Sequence, residues 1–258
     1  MERLAAAGAV DLQVKALILA GSRPGEVDPV AAYAGVAHKA LIELSGRTLL
    51  ARVAGALSGC DEVAVSADMP AVVAEAARLG LRVVPPAAGP SDSVGAALSA
   101  LGAPLLVTTA DHALLRAEWV DAFTADAPAT CDVAVLLARR DAVEAALPGT
   151  KRTYLRFADG DWSGCNLFLL RTPDAARAIE LWRIVEADRK RPWRIVRRFG
   201  PGMLVRYLLG RLTLAEAVAR LGALAGVRAG VVAARDGLAA VDVDKPADLD
   251  AVRALLDR

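Results

Sequence analysis

The stretch VKALILAG at residues 14–21 decides the fold class. Its apolar run is typical of a β-strand that is buried on both faces, as strands are in parallel sheets. A glycine at the end of such a strand lets backbone N–H groups approach a bound anion closely. We therefore expect a buried parallel strand whose carboxyl end opens a ligand site.

Strands and helices alternate along the chain that follows this run. Apolar segments predict further strands at 62–66, 81–84, 104–109 and 132–138. Apolar spacing predicts helices at 47–57, 70–79, 91–101 and 116–125, the third with Ser91 and Asp92 as capping candidates. Such units predict an α/β, Rossmann-like fold with a mostly parallel open sheet and helices on both faces.

The pattern changes beyond Pro148. Two short strands at 153–157 and 165–170, joined by the turn-rich residues 158–161, predict a small β-hairpin. Helices are expected at 173–187, 214–224 and 246–256, with a last strand at 237–244. Because no linker or repeat interrupts the chain, we expect a single domain over 1–258, with a basic helical insertion at about 183–225.

Composition excludes several classes of protein. The 258 residues carry 31 Lys and Arg against 30 Asp and Glu, a net charge of +1, so no nucleic-acid partner is expected. No apolar run reaches the roughly 18 residues of a membrane helix, and the amino end lacks a convincing signal peptide. The chain has three cysteines, an odd number, and they are widely spaced. This pattern suits reduced thiols and a cytoplasmic location better than a set of disulfides.

The near-neutral balance hides one basic segment. Residues 183–211 hold nine basic and two acidic residues, interspersed with aromatic and aliphatic side chains. Three interpretations stay open: an amphipathic helical hairpin packed on the domain, a lid or acceptor-phosphate site, and peripheral contact with an anionic membrane.

Three segments carry candidate chemistry. A phosphate-binding loop is indicated by Gly21, Ser22 and Arg23, with Lys39 downstream. The same residues would also suit an ordinary turn with solvated cations. Asp111 follows the strand at 104–109, where a carboxylate could hold Mg²⁺ on a nucleotide or cap the next helix.

The third segment has two carboxylates. Asp242 and Asp244 stand two residues apart, directly before a helix that starts with Pro246. Either is a second candidate metal ligand, but Asp244 is equally suited to capping that helix.

Together these segments resemble the nucleotidyltransferase superfamily of MobA-like enzymes, methylerythritol phosphate cytidylyltransferases and sugar-phosphate nucleotidylyltransferases, which share the nucleotide-diphospho-sugar transferase fold. The matching stretches are LAGSR at 19–23, KAL at 39–41, Asp111, DVDKPADL at 242–249, and SDSVGAAL at 91–98, which is similar to a base- and ribose-contacting segment of the cytidylyltransferases. The sequence departs from the family pattern at Ser22, where the opening motif has a second glycine.

The resemblance implies transfer of a nucleoside monophosphate, with CMP from CTP favoured, to a phosphorylated small-molecule acceptor with release of pyrophosphate. It implies catalytic roles for Arg23 and Lys39, and Mg²⁺ on Asp111 with Asp242 or Asp244. It also implies nucleotide binding by Ala20, Gly21, Ser22, Asp92 and Ser93, and acceptor binding by Lys151, Arg152 and Asn166. His38 and His112 are interpreted as bystanders.

Two other functions are weighed against this one. A glycosyltransferase of the related GT-A-like fold would normally show Asp-x-Asp where this chain has Asp111-His112-Ala113, which argues against it. A non-catalytic nucleotide-binding or membrane-surface scaffold would retain the fold without turnover. The sequence does not decide between a monomer and a homodimer.

Overall fold

A mixed sheet of eight strands forms the centre of the fold, and a separate two-stranded sheet lies beside it. The computed structural model describes residues 13–22, 27–150, 152–187 and 200–257. In chain order the strands are β1 (Lys15–Leu19), β2 (Glu43–Leu44), β3 (Arg47–Thr48), β4 (Glu62–Ser66), β5 (Arg82–Val84), β6 (Leu105–Thr109), β7 (Val133–Arg139), β8 (Leu155–Phe157), β9 (Gly160–Leu170) and β10 (Ala229–Ala233).

Helices cover both faces of the large sheet. The α-helices are α1 (Pro29–Ala34), α2 (Leu49–Ala56), α3 (Pro70–Arg78), α4 (Pro90–Leu101), α5 (Ala117–Asp126), α6 (Arg140–Ala146), α7 (Ala176–Ala187), α8 (Pro201–Leu208), α9 (Leu214–Ala225) and α10 (Pro246–Leu256). Short 3₁₀ turns occur at Lys39–Leu41, Pro173–Ala175 and Gly237–Ala240.

The strand order is β10-β7-β9-β6-β1-β4-β5, with β8 paired to β9. β1 is parallel to β4 on one side and to β6 on the other, while β9 runs antiparallel between β6 and β7. In the large sheet the chain goes from β1 to β4 on one side of β1 and later returns to β6 on its other side. The loops that follow β1 and β6 therefore diverge, which makes this position a topological switch point. Ligands bind at such points in open α/β sheets.

The apolar run of β1 follows from burial on both faces. Ala16 and Ile18 belong to a core cluster with residues of α2 and α5, whereas Leu17 packs with residues of α4 and α7. All three side chains are fully buried. The prediction of a mostly parallel sheet with helices on both faces is confirmed.

In the second half of the chain, two predictions from the sequence differ from the structure. The predicted hairpin exists, but β9 begins at Gly160 rather than at 165, because its glycine-rich, polar start still pairs with β8 and β7. The predicted strand at 237–244 is wrong. Asp236 instead caps the turn Gly237–Ala240 by accepting from the Leu238 N–H at 2.9 Å, and the last strand is β10.

Smaller corrections concern the helix starts. Ser91 and Asp92 do not cap α4, since Gly89 is its N-cap residue and Pro90 its first residue. Asp244 does not cap α10 either, because Lys245 is the N-cap residue. Instead the Asp248 carboxylate accepts from the N–H groups of Asp244 and Lys245, at 3.2 Å and 2.9 Å.

The basic segment is described only in part, since residues 188–199, with six of its nine basic residues, lie outside the described ranges. On the described flanks, Arg183 pairs with Asp92 at 3.1 Å and Arg206 with Glu216 at 2.7 Å. The three interpretations of this segment stay predictions. Within the described residues, no helix is both long enough and apolar enough to cross a bilayer.

Candidate active site

The loops after β1 and β6 meet at one edge of the sheet. The N–H of Ala110 donates to the carbonyl of Leu19 at 2.9 Å, so the end of β6 is fixed beside the end of β1. Ala20 is buried, whereas Gly21 and Ser22 are exposed at this edge. Arg23, the predicted catalytic partner of Lys39, lies outside the described residues.

Lys39 joins the predicted metal ligands. Its Nζ lies 2.5 Å from Asp111 Oδ2 and 3.6 Å from Asp244 Oδ1. Burial alone would lower the pKa of Lys39, but the opposing charges of Asp111 and Asp244 outweigh it and raise that pKa above its ordinary value. The ammonium group is therefore charged throughout the physiological pH range.

Asp111 is held by its neighbours rather than used as a helix cap. Helix α5 begins only at Ala117, with Arg116 as N-cap residue, while Asp111 accepts a hydrogen bond from the Thr109 hydroxyl. The Asp111 carbonyl accepts from the N–H of Val243 at 3.0 Å, which ties this loop to the segment carrying Asp242 and Asp244.

Asp242 and Asp244 have different surroundings. The Asp242 carboxylate accepts from the Arg152 guanidinium on one oxygen and from Asn166 Nδ2, at 2.7 Å, on the other. The Asp244 side chain is 59% exposed and faces Lys39. Partial burial, followed by the charges of Asp242 and Asp111, raises the pKa of Asp244 above its ordinary value.

The predicted acceptor residues Arg152 and Asn166 therefore meet at Asp242. Arg152 also donates from Nη2 to the Asp242 carbonyl at 2.7 Å. Asn166 has φ 48°, a left-handed conformation that is uncommon outside glycine and often marks a functional position. Lys151 lies outside the described residues.

The predicted nucleotide residues Asp92 and Ser93 lie in the first turn of α4. A Cβ added at Gly21 would lie 3.7 Å from Pro86, which brings the loop before α4 against the loop after β1. The Ser93 hydroxyl donates to the carbonyl of Gly89 and accepts from the N–H of Ala87, both at 2.9 Å, so it shapes that loop. Asp92 pairs with Arg183 of α7.

Sequence analysis missed the part that His38 plays. Its Nδ1 accepts from the N–H of Ala40 at 3.0 Å and so caps the 3₁₀ turn that presents Lys39. Burial, then the charge of Lys39, lowers the pKa of His38, which keeps Nδ1 free to accept at neutral pH. The position of His38 directly before Lys39 could have indicated this role in the sequence, because a histidine Nδ1 can accept a capping hydrogen bond as a carboxylate does.

The family model described as the MobA-like NTP transferase domain matches residues 16–161, more than half of the chain. The chain belongs to the MobA-like NTP transferase family. It is therefore a nucleotidyltransferase-type protein, as its motifs predicted. This assignment also disfavours the glycosyltransferase alternative.

Solved structures agree with the family assignment. A hypothetical transferase from Thermus thermophilus is 33% identical to this NTP transferase, with a TM-score of 0.78 over 92% of this chain and 100% of that one. No match was found among curated proteins.

More distant structures share the fold. A CMP:2-keto-3-deoxy-manno-octonic acid synthetase complexed with CTP is 18% identical, with a TM-score of 0.54 over 95% of this chain and 98% of that one. The 2-C-methyl-D-erythritol 4-phosphate cytidylyltransferase from Thermus thermophilus is also 18% identical, with a TM-score of 0.51 over 96% and 99% of the two chains.

Because His112 is buried, we expect the stability of this NTP transferase to depend on pH. Burial lowers the pKa of His112 to about 4. In the unfolded chain the pKa is near 6.5, so between these values the unfolded state binds the extra proton and stability falls as the pH falls. We expect the free energy of unfolding to be about 2 kcal/mol lower at pH 5 than at pH 7.

Urea denaturation at the two pH values measures this difference. The His112→Gln variant, which cannot titrate there, should lose most of it, whatever its absolute stability. An unchanged pH difference in that variant would show that other groups cause the effect.

Proposed function

We propose that this NTP transferase moves a nucleoside monophosphate, CMP from CTP, onto a phosphorylated small-molecule acceptor and releases pyrophosphate. The observation that carries the proposal is the ammonium group of Lys39 beside the carboxylates of Asp111 and Asp244, at the carboxyl ends of β1 and β6. The preference for CTP is supported by residues 91–98 and by the named activities of the distant cytidylyltransferase structures.

Mg²⁺ fits the donors at this edge. Mg²⁺ prefers oxygen ligands and commonly takes one or two carboxylates plus substrate phosphates. Within the described residues no group of three His, Cys, Asp or Glu side chains is arranged to hold a metal ion, so phosphate oxygens would have to complete the site. Asp111 and Asp244 would hold the ion, because both carboxylates lie beside Lys39 where the triphosphate is proposed to bind, whereas Asp242 faces Arg152 and Asn166.

The reaction needs no general base. An oxygen of the acceptor phosphate, already anionic at neutral pH, forms a bond to the α-phosphorus of the nucleotide. The bond from that phosphorus to the bridging oxygen breaks, and its electron pair leaves with pyrophosphate. Bound Mg²⁺ would neutralise charge on the phosphate oxygens. The work of the protein is alignment and electrostatic stabilisation.

Residues of the chain divide this work. Lys39 stabilises negative charge that grows on the α-phosphoryl group and on the leaving pyrophosphate, with Arg23 assigned the same task from the sequence motif. Gly21 and Ser22 offer exposed backbone to the triphosphate. Arg152, oriented by Asp242, supplies a cation for the acceptor together with the amide of Asn166.

A pyrophosphate-release assay with Mg²⁺ tests the proposal. Each of the four NTPs is paired with sugar, polyol, amino-alcohol and alkyl phosphates, with phosphonates as further acceptors. We expect release that requires both substrates and is fastest with CTP. Nucleotide binding without turnover for any pair would instead support the non-catalytic scaffold.

A further inference from the structure

An apolar cavity of about 410 Å³ lies between the sheet and helices α7 and α9. Its described walls come mainly from β7, β9, α7 and α9. Small-molecule sites span about 300–1,000 Å³, so this cavity, which is open on one side, has the size of a ligand site.

The described lining is almost entirely hydrocarbon. Val107 and Val135 contribute from the sheet, while Trp182 of α7 stacks on Phe168 of β9 with ring centroids 6.0 Å apart. Val135 is only half-buried although its strand lies inside the sheet. Such a wall offers a sugar ring nothing to hydrogen-bond, so the ligand portion that fits it is apolar.

The cavity touches the candidate active site at one residue. Asn166 lines it and also donates to Asp242, the partner of Arg152. Among the described lining residues it carries the one side-chain amide. One end of the cavity thus adjoins the residues assigned to the acceptor.

The apolar character continues outward from the cavity. Leu155, one of its lining residues, is 49% exposed, and Phe157 packs edge-on against Tyr207 of α8. Next to Tyr207, Leu208 and Leu209 are also exposed. An apolar path of this kind suits a hydrocarbon chain that extends beyond the cavity.

We propose that the cavity binds the hydrocarbon chain of an amphiphilic acceptor, a phosphate monoester of a long-chain alcohol. The phosphate lies at the end beside Asn166 and Arg152, and the chain lies between the sheet, α7 and α9. The role of the phosphate as nucleophile rests on the proposed function, but binding of the chain does not.

Binding of ethyl, hexyl and decyl phosphate to the full chain tests this proposal without any turnover. Titration calorimetry is run below the micelle concentration of each compound. Each methylene that enters an apolar site strengthens binding by about fourfold, so the dissociation constant should fall steeply from ethyl to decyl phosphate.

Two variants at neighbouring positions of α9 supply the structural control. Val218→Trp fills the cavity and should weaken binding of decyl phosphate about tenfold or more, by displacing at least two methylenes. Ala219→Trp places the same ring at an exposed position and should bind like the parent protein. Ala178→Phe repeats the test from α7 should the first variant fail to fold.

The outcomes separate this proposal from the proposed function. Affinity that is independent of chain length, or equal in the filled and control variants, overturns the cavity assignment even if pyrophosphate release is observed. That result would also follow if another part of the chain or a second copy occupied the cavity. A steep chain-length dependence without binding or turnover of any of the four NTPs would retain the cavity and overturn the proposed function.

Discussion

Replacing Lys39 by Met should lower kcat for pyrophosphate release by about 10²- to 10³-fold, the usual loss for one group that stabilises transition-state charge. The reason is positional. Lys39 is the described cation that contacts both Asp111 and Asp244, where the triphosphate is proposed to bind. Steady-state kinetics with saturating CTP and acceptor measures the effect.

The matched control removes a cation elsewhere. Arg235 pairs with Asp126 on the surface at 2.7 Å, and Arg235→Met changes the net charge equally. Its kcat should be unchanged, because Arg235 is not among the residues assigned to the site and an exposed ion pair contributes little to the stability of the fold. A kcat for Lys39→Met close to the parent value would mean that Lys39 serves only as the counter-ion of Asp111.

Asp111→Asn should reduce Mg²⁺-dependent activity by about 10³-fold, since a metal ligand contributes several kcal/mol of transition-state stabilisation. The amide keeps the size of the carboxylate and can still meet the Thr109 hydroxyl, so the loss reflects charge rather than shape. Activity is measured across a Mg²⁺ titration, with circular dichroism as the check on folding.

The two other carboxylates discriminate metal binding from positioning. Asp244→Asn should raise the Mg²⁺ concentration needed for half-maximal activity. Asp242→Asn should leave that concentration unchanged and raise KM for the acceptor, because Arg152 and Asn166 lose their shared partner. A Mg²⁺ requirement that shifts in Asp242→Asn but not in Asp244→Asn would reverse the assignment.

Local sequence patterns predicted the first half of the large sheet well, because each of its strands from β1 to β7 is a compact apolar run. They failed at β9 and β10 for physical reasons. The start of β9 is polar and rich in glycine, and only pairing with β7 and β8 makes it a strand. The alternating residues 237–244 suit a strand, but the Asp236 cap stabilises a turn there.

The candidate site was predicted as a set of residues but not as an arrangement. Lys39 and Asp111 are 72 positions apart, and Arg152 and Asp242 are 90 apart, so no local pattern reports their contacts. The motifs left Asp242 and Asp244 equivalent as metal ligands. They differ only through long-range partners, since Arg152 and Asn166 engage Asp242 while Lys39 faces Asp244.

The contact between α4 and α7 has a thermodynamic consequence. Ser91 donates to Glu186 at 2.7 Å and Asp92 pairs with Arg183, so the first turn of the predicted base-binding helix is fastened to the helix that carries Trp182. A ligand that displaces either helix changes the other pocket. The two substrates would then be linked reciprocally, each altering the equilibrium affinity of the other by the same factor, whichever arrives first.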